Sequence, residues 1–282
     1  MKILFVTDLH GDTAKYRLVL EIAKKNKVKA VINGGDMLCL EDDIHSTQRE
    51  FIEGFLSDHF GEYEKAGIYH LGYLGNDDLK IHDACFNEIC SKHPHTVNLA
   101  QARFELESFE FIGMNWVADY PFQLKDRCRR DTEDYVFQRQ FGAGVLSTEK
   151  GFEELSDWVA HAATLPTIEE ELELLPKPKN PDKAVYVMHM PPNRHRAGYL
   201  PGWARGWLTS DIQLHQEASA TVNLAWPYPR IAITYRDMER QNRGNRLHPT
   251  RTAKIGPFEL CHHQPERYAS EKIRGAVKLI SS

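Results

Sequence analysis

No apolar run in this 282-residue chain reaches the length of about 20 residues that a membrane-spanning helix needs. The first two residues lead directly into the apolar residues 3–6, which leaves no room for a signal peptide. Basic residues are not in excess either, because the formal net charge is -5. This charge balance gives no support for a protein surface that binds the phosphates of a nucleic acid. It does not exclude a local basic groove. We therefore expect a soluble protein that does not contact a membrane.

The chain also lacks a Cys-x-x-Cys pair, internal repeats and low-complexity runs. Its five cysteines are odd in number and scattered, which predicts reduced thiols and a cytoplasmic location rather than a disulfide framework. The oligomeric state stays open. Hydrophobic residues make up 41% and charged residues 27% of the chain, the balance of a globular protein with one large or two smaller domains. The cysteines are Cys39, Cys85, Cys90, Cys128 and Cys261.

The first two thirds of the chain alternate strand and helix patterns. Residues 3–6 and 30–32 are short apolar runs on either side of an amphipathic stretch at 15–26, which predicts a βαβ unit. A second helix is predicted at 46–60 and a strand at 68–71. The pattern predicts an α/β fold with mixed sheets and helices outside.

Later segments are less regular. Residues 104–113 alternate as one strand, and residues 184–188 form a buried strand. Between them, residues 115–183 are rich in charged residues. We predict that this segment is a mostly helical insertion that could act as a lid. In this insertion, Thr167 and Glu170 have the spacing of a capping box.

Metal-ligating residue types follow four of the apolar runs. Asp8 and His10 come after the first run and Asp36 after the second. Asn76 follows a third run, and His189 follows the run at 184–188. Each is ambiguous alone: turns explain the acidic residues and the Asn, His10 could be a surface residue, and His189 could be a buried structural histidine. Together they predict hard or borderline ligands that converge at the carboxyl ends of strands.

With these residues in this order, the sequence resembles the calcineurin-like metallophosphoesterase family over residues 1–192. The resemblance implies a four-layer αββα sandwich of two mixed sheets flanked by helices. It assigns Asp8 and His10 to a first metal ion, Asp36 to both ions, and Asn76 and His189 to a second ion. It implies two divalent transition metal ions drawn from Mn, Fe, Zn, Ni or Co.

The activity that the resemblance implies is hydrolysis of a phosphomonoester or phosphodiester by a dinuclear centre and its metal-bound hydroxide. Asn76 and the next residue are its catalytic pair. In many members a His follows this Asn and assists the leaving group, whereas here Asp77 takes that place. A carboxylate beside two cations is a poor proton donor. Asp77 could therefore act in catalysis or only anchor its neighbours.

The family closes with a Gly-His-x-His run that supplies one histidine to each metal, and no such run follows His189. Trp has the single codon TGG, so a reading frame displaced by one nucleotide turns each tail Trp into Gly. Around Trp226 the displaced frame permits Leu-His-Gly-His-Ile-His. We therefore interpret residues 193–282 as an atypical tail, the frame-shifted remainder of the same domain. The alternative is a divergent tail that ligates from new positions; its histidines include His215, His248, His262 and His263.

If the tail is out of frame, each metal ion lacks one protein ligand. We then expect an impaired hydrolase. The alternative from a different class is a non-catalytic scaffold or interaction protein with this fold.

Overall fold

The computed structural model describes residues 1–41, 43–190, 221–224 and 277–281. The chain begins with strand β1 (Lys2–Val6), helix α1 (Thr13–Asn26) and strand β2 (Ala30–Asn33). The side chain of Asp12 accepts hydrogen bonds from the first turn of α1, and Lys27 ends the helix in the left-handed conformation, at φ 52°. The βαβ unit predicted from the sequence is confirmed.

A long helical segment follows. It consists of α2 (Ile44–Phe51), one π-helical turn at Ile52–Leu56 and α3 (Ser57–Lys65). The chain continues through β3 (Tyr69–Gly72), a 3₁₀ turn, α4 (Asp83–Ser91) and β4 (Thr96–Asn98). The helix predicted at 46–60 and the strand predicted at 68–71 are therefore confirmed, with a longer helical segment than the pattern indicated.

The single strand predicted at 104–113 was wrong. The structure has a hairpin of β5 (Arg103–Leu106) and β6 (Phe109–Met114). Glu107 lies at φ 55°, and this left-handed residue reverses the chain between the two strands. Alternation of side chains continues across the turn, which made two strands look like one.

The prediction of a mostly helical insertion at 115–183 was also wrong. Short strands β7 (Val117–Ala118) and β8 (Cys128–Arg129) pair with each other, and β9 (Gly144–Thr148) pairs with β10 (Gly151–Leu155) as a hairpin. Two short helices follow, α5 (Trp158–Ala163) and α6 (Ile168–Leu174). Gly151, at φ 119°, supplies the turn of the hairpin. The capping box of Thr167 and Glu170 is confirmed at the start of α6.

Strand β11 (Ala184–Met188) completes the first two thirds of the chain, and the tail adds β12 (Thr221–Leu224) and β13 (Val277–Ser281). One sheet has the order β13-β1-β2-β3-β4, and the other has the order β12-β11-β6-β5. Strands β1 to β4 are mutually parallel, as are β6 and β11. Both tail strands run antiparallel to their neighbours.

Alternate residues of the strands enter different cores. Leu4 and Val31 pack against α1, α3 and α4, whereas Phe5 and Ile32 pack against Val187 of the other sheet. The opposite face of β11 carries Tyr186, which packs with residues of α6. This arrangement is an α/β fold with mixed sheets, as the sequence predicted. Within the described residues, no helix is both long and apolar enough to cross a lipid bilayer.

Candidate metal centre

The residues predicted as ligands all lie just beyond the carboxyl ends of parallel strands. Asp8 and His10 follow β1, Asp36 follows β2, Asn76 follows β3 and His189 follows β11. Carboxyl ends of parallel strands share one edge of a sheet, where ligand sites commonly form. The two sheets therefore place these five side chains in one region.

The loops after β1 and β2 are bonded to each other through their backbones. The amide of Asp8 donates to the carbonyl of Gly35 at 3.1 Å, and the amide of His10 donates to the carbonyl of Asp36 at 3.0 Å. Asp8, His10 and Asp36 lie at φ 57°, 46° and 51°. Three non-glycine residues in the left-handed region within two short loops indicate that the surrounding structure imposes this conformation.

These three residues bring possible metal ligands together. One donor atom of each, from Asp8, His10 and Asp36, lies within 4.8 Å of the others. The Nε2 of His10 is 3.9 Å from Oδ1 of Asp8, and the buried Nδ1 of His10 has no hydrogen-bond partner within the described part of the chain. A group of this kind, with a nitrogen and carboxylate oxygens, suits a divalent transition metal ion.

His189 faces the same carboxylate from the other side. Its Nε2 lies 3.4 Å from Oδ2 of Asp36 and 2.6 Å from Oδ1 of Asn76. Its Nδ1 lies 2.7 Å from the carbonyl oxygen of Gly34, which can only accept, so Nδ1 carries a proton. The ring is fully buried. Its Nε2 is thus directed at two oxygen acceptors.

Asp77 fixes the orientation of Asn76. The Nδ2 of Asn76 donates to Oδ1 of Asp77 at 2.8 Å, which turns the amide oxygen of Asn76 towards His189. The backbone amide of Asp77 donates in turn to Oδ1 of Asp36 at 2.9 Å. The Asn76–Asp77 pair is therefore joined to the loop after β2.

Asp78, the next residue, is a buried carboxylate that the sequence analysis did not single out. It accepts hydrogen bonds from the backbone amides of Met37, Leu38 and Gly75 at 2.9, 2.8 and 2.7 Å. These bonds join the loop after β2 to the loop after β3. The only signal in the sequence was its place directly after Asn76 and Asp77.

Gln48 of α2 was missed altogether, because a polar residue within an amphipathic helix normally faces solvent. Its side chain is fully buried. Its Nε2 donates to the carbonyls of Cys39 and Asp77, and its Oε1 accepts from the amide of Leu79. A primary amide can hold two loops in this way because it both donates and accepts.

Two glycines allow the loops to approach. A Cβ on Gly75 would lie 2.3 Å from the backbone nitrogen of Asp36, and a Cβ on Gly35 would lie 2.6 Å from Nδ1 of His189. Gly35 also lies at φ 107°. Close contact among the strand ends therefore depends on these two positions lacking a side chain.

The charges of the site residues change one another's pKa values. Burial alone lowers the pKa of the His189 imidazole, but the charge and hydrogen bond of Asp36 outweigh this effect and raise the pKa to about 9. Burial by itself raises the pKa of Asp36, and the positive charge of His189 makes the net change a decrease. Burial, followed by the charge of Asp36, raises the pKa of Asp77 to about 6. Without a metal ion, a proton on His189 balances the Asp36 carboxylate.

The residues present fit a metal centre. Asp36 has one oxygen near His189, and its carboxylate also belongs to the group with Asp8 and His10. The proton that Nε2 of His189 must carry, directed at two oxygen acceptors, is a feature that a bound cation would relieve. The sequence holds no closing His-x-His after His189, and Cys261 and the four tail histidines named above lie outside the described residues. The four described cysteines are free thiols.

Comparison with solved structures finds low identities. The protein TT1561 of Thermus thermophilus is 14% identical, with a TM-score of 0.35 over 42% of this chain and 50% of that chain. A structure described as a novel archaeal phosphodiesterase is 17% identical, with a TM-score of 0.27 over 55% of this chain and 99% of that chain. The present chain thus spans half the length of the first structure. No curated protein matches.

A protein-family model matches a larger part of the chain than these two structures do. The sequence model described as calcineurin-like phosphoesterase matches residues 1–210, which include all four strand ends of the site. The chain therefore belongs to the calcineurin-like phosphoesterase family.

Proposed function

We propose that this protein is a metal-dependent phosphoester hydrolase whose site is built for two metal ions. The observation that carries the proposal is the arrangement of His189. Its Nδ1 is committed to the carbonyl of Gly34, and its Nε2 points at Oδ2 of Asp36 and Oδ1 of Asn76. A histidine whose second nitrogen is held by a carbonyl is the common form of a metal-ligating imidazole.

We assign Asp8, His10 and Asp36 to the first ion, and Asp36, Asn76 and His189 to the second. The shared carboxylate of Asp36 is the residue that contacts both groups. When bound, the two ions would supply Lewis acidity towards a phosphoryl group and lower the pKa of water. We also infer that the packing of helices, two sheets and α6 is the four-layer αββα arrangement of the family.

The chain's own residues supply positioning. Asp77 accepts from the amide of Asn76 and is bonded through its backbone to Asp36, which favours an anchoring role over proton donation. Asp78 and Gln48 hold the loops that carry these residues. The loops after β2 and β3 are therefore held to each other by hydrogen bonds.

We further propose that residues 193–282 are the frame-shifted remainder of this domain. Strand β12 runs antiparallel to β11, so Thr221 lies beside Met188 at the site edge and Leu224 lies beside Val185. Strands β1, β2, β3 and β11 instead end at that edge. Because β12 begins rather than ends there, it does not add a ligand in the manner of the other strands. The sequence, which holds no Gly-His-x-His after His189, supports a site that lacks the closing histidines.

Metal analysis tests the proposed function. Purified protein would be titrated with Mn²⁺ by calorimetry, and turnover of bis(p-nitrophenyl) phosphate and p-nitrophenyl phosphate would be measured with and without Mn²⁺. We expect binding that Asp36→Asn abolishes, together with low or absent turnover. Failure to bind Mn²⁺, Zn²⁺ or Co²⁺ would favour the scaffold alternative. Rapid Mn²⁺-stimulated turnover would instead show that the site is complete and overturn the proposed impairment.

The nucleotide sequence tests the frame shift directly. We expect an open frame, displaced by one nucleotide after codon 192, that contains Gly-His-x-His. A stop codon before that motif would refute the idea and leave the divergent tail as the explanation.

A further inference from the structure

The loop after β3 is held at several of its peptide groups by side chains, two of them from elsewhere in the fold and one, Asp78, from the loop itself. Asn115 donates to the carbonyl of Leu74 at 2.8 Å, and Asp78 accepts from the amide of Gly75. Gln48 then holds the carbonyl of Asp77 and the amide of Leu79. The peptide group that directly precedes Asn76 needs a separate partner, because none of these side chains contacts it.

Arg127 supplies that partner. Its Nε donates to the carbonyl oxygen of Gly75 at 2.8 Å. Its Nη2 and Nη1 bind the two carboxylate oxygens of Asp83 at 2.5 and 3.2 Å. The Arg127 side chain is 1% exposed, whereas Asp83 is 43% exposed. A buried guanidinium in this position cannot contact substrate directly, so its contacts act on the loop.

Arg127 lies in the insertion, just before β8, and its neighbour in sequence extends the same contact. Asp126 accepts from the amide of Lys80 at 2.9 Å and from both the amide and the hydroxyl of Ser147 in β9. The segment therefore joins the hairpin of the insertion to the far end of the loop. This part of the insertion is therefore bonded to the loop that carries Asn76, and the lid expected from the sequence stays a prediction.

From these contacts we infer that Arg127 is a positioning residue for Asn76 and so for the second metal ion, an inference that rests on the proposed function. The planar guanidinium can bind the Gly75 carbonyl through Nε while both Nη atoms pair with Asp83. This fixes the peptide plane between Gly75 and Asn76. A Lys in its place has one nitrogen and cannot reproduce the fork.

The test compares Arg127→Met and Arg127→Lys with Arg130→Lys. Arg130 is a matched control because it lies in the same segment and also binds backbone carbonyls, those of Ala162 and Glu133, away from the loop. Co²⁺ binding to the full chain would be followed by calorimetry and visible absorption. Loss of a supporting contact around a metal site typically lowers affinity about 10–100-fold.

We expect Arg127→Met to weaken the Co²⁺ site that depends on Asn76 and His189 by about 10–100-fold, with Arg127→Lys between Met and wild type. The site of Asp8 and His10 should change by less than about twofold, as should both sites in Arg130→Lys. Unchanged Co²⁺ affinities in a folded Arg127→Met protein would overturn the inference. If that variant does not fold, wild-type affinities in Arg127→Lys would overturn it equally.

Amide hydrogen exchange provides a readout that needs no metal. We expect the amides of Asp77 and Leu79 to exchange at least about tenfold faster in Arg127→Met than in wild type, beyond any change in global stability. If the wild-type protein binds no Co²⁺, the proposed function fails while this exchange experiment still tests the role of Arg127. Unchanged exchange at both amides would then refute it.

Discussion

The imidazole of His189 and the side-chain amide of Asn76 meet at 2.6 Å between Nε2 and Oδ1, although the residues are 113 positions apart in the chain. They follow strands of different sheets, β11 and β3. The contact therefore requires both sheets to be packed and both loops to be in place. It lies within the group proposed for the second ion, and Asp36, which is 3.4 Å from the same nitrogen, links that group to Asp8 and His10.

Removal of the Asn76 amide should weaken one metal ion selectively. We expect Asn76→Ala to lower the affinity of the second Mn²⁺ about 100-fold and to leave the first within about threefold, measured by calorimetry. Asn98→Ala is a matched control, since Asn98 also ends a parallel strand but its Oδ1 accepts from the nearby amide of Ala100. Equal loss in both variants would contradict the assignment.

Gly75 should not tolerate a methyl group. A Cβ there would lie 2.3 Å from both the backbone nitrogen and Oδ1 of Asp36, so the loops must separate. We expect Gly75→Ala to reduce the free energy of unfolding by about 2 kcal/mol or more and to abolish binding of the second ion. Urea denaturation and Mn²⁺ titration would measure the two effects.

Gly54 is the matched control for Gly75. It lies in the π-helical turn, and a Cβ on it would have no heavy atom within 4 Å. We expect Gly54→Ala to stabilise the protein by about 0.5–1 kcal/mol, because alanine loses less backbone entropy in a helix. Destabilisation by Gly54→Ala similar to that at Gly75 would show that the close approach to Asp36 is not the cause.

His59 should make the protein sensitive to acid. It is 5% exposed and stacks on Phe55, with ring centroids 5.2 Å apart. Burial lowers its pKa to about 4, below the value of 6.5 for an unfolded chain. Between these values the unfolded state binds the extra proton, so stability falls as pH decreases from about 6.5 to 4, by about 1.4 kcal/mol per pH unit.

His59→Phe would isolate this effect. The aromatic contacts with Phe55, Tyr16 and Tyr63 can persist in the variant, while the titrating nitrogen is removed. We expect the stability of the variant relative to wild type to increase steadily as the pH is lowered from 6.5 to 4, and to be constant above pH 7. A difference that is independent of pH across this window would contradict the prediction. Urea denaturation at several pH values measures it.

Restoration of the reading frame should restore activity. We expect a gene whose reading frame is displaced by one nucleotide after codon 192 to encode a protein that binds both Mn²⁺ ions at least about tenfold more tightly, because each ion regains a histidine. Turnover of bis(p-nitrophenyl) phosphate should rise at least 100-fold over the present chain, as expected when about 3 kcal/mol of transition-state stabilisation is recovered. Equal activities of the two proteins would show that the tail plays no part in the site.

Sequence periodicity determined the order of the main elements, since short apolar runs and an amphipathic stretch are local patterns. It failed in two places. At Glu107, a left-handed turn inside an alternating run divided one predicted strand into two. In the insertion, the many charged residues led to a prediction of helix where the structure has short strands. The strand pattern is weak there because strand formation depends on pairing with a neighbouring strand.

The sequence also determined the family and the candidate ligands. Each candidate ligand follows an apolar run, and such a run can be recognised without any knowledge of the fold. The ligands are Asp8, His10, Asp36, Asn76 and His189. The supporting residues were decided only by the tertiary structure. The roles of Asp78, Gln48 and Arg127 rest on hydrogen bonds to backbone groups between 3 and 52 positions away. Such bonds leave no period or motif in the sequence, since a backbone carbonyl or amide is present at every residue and only folding selects which one a side chain reaches.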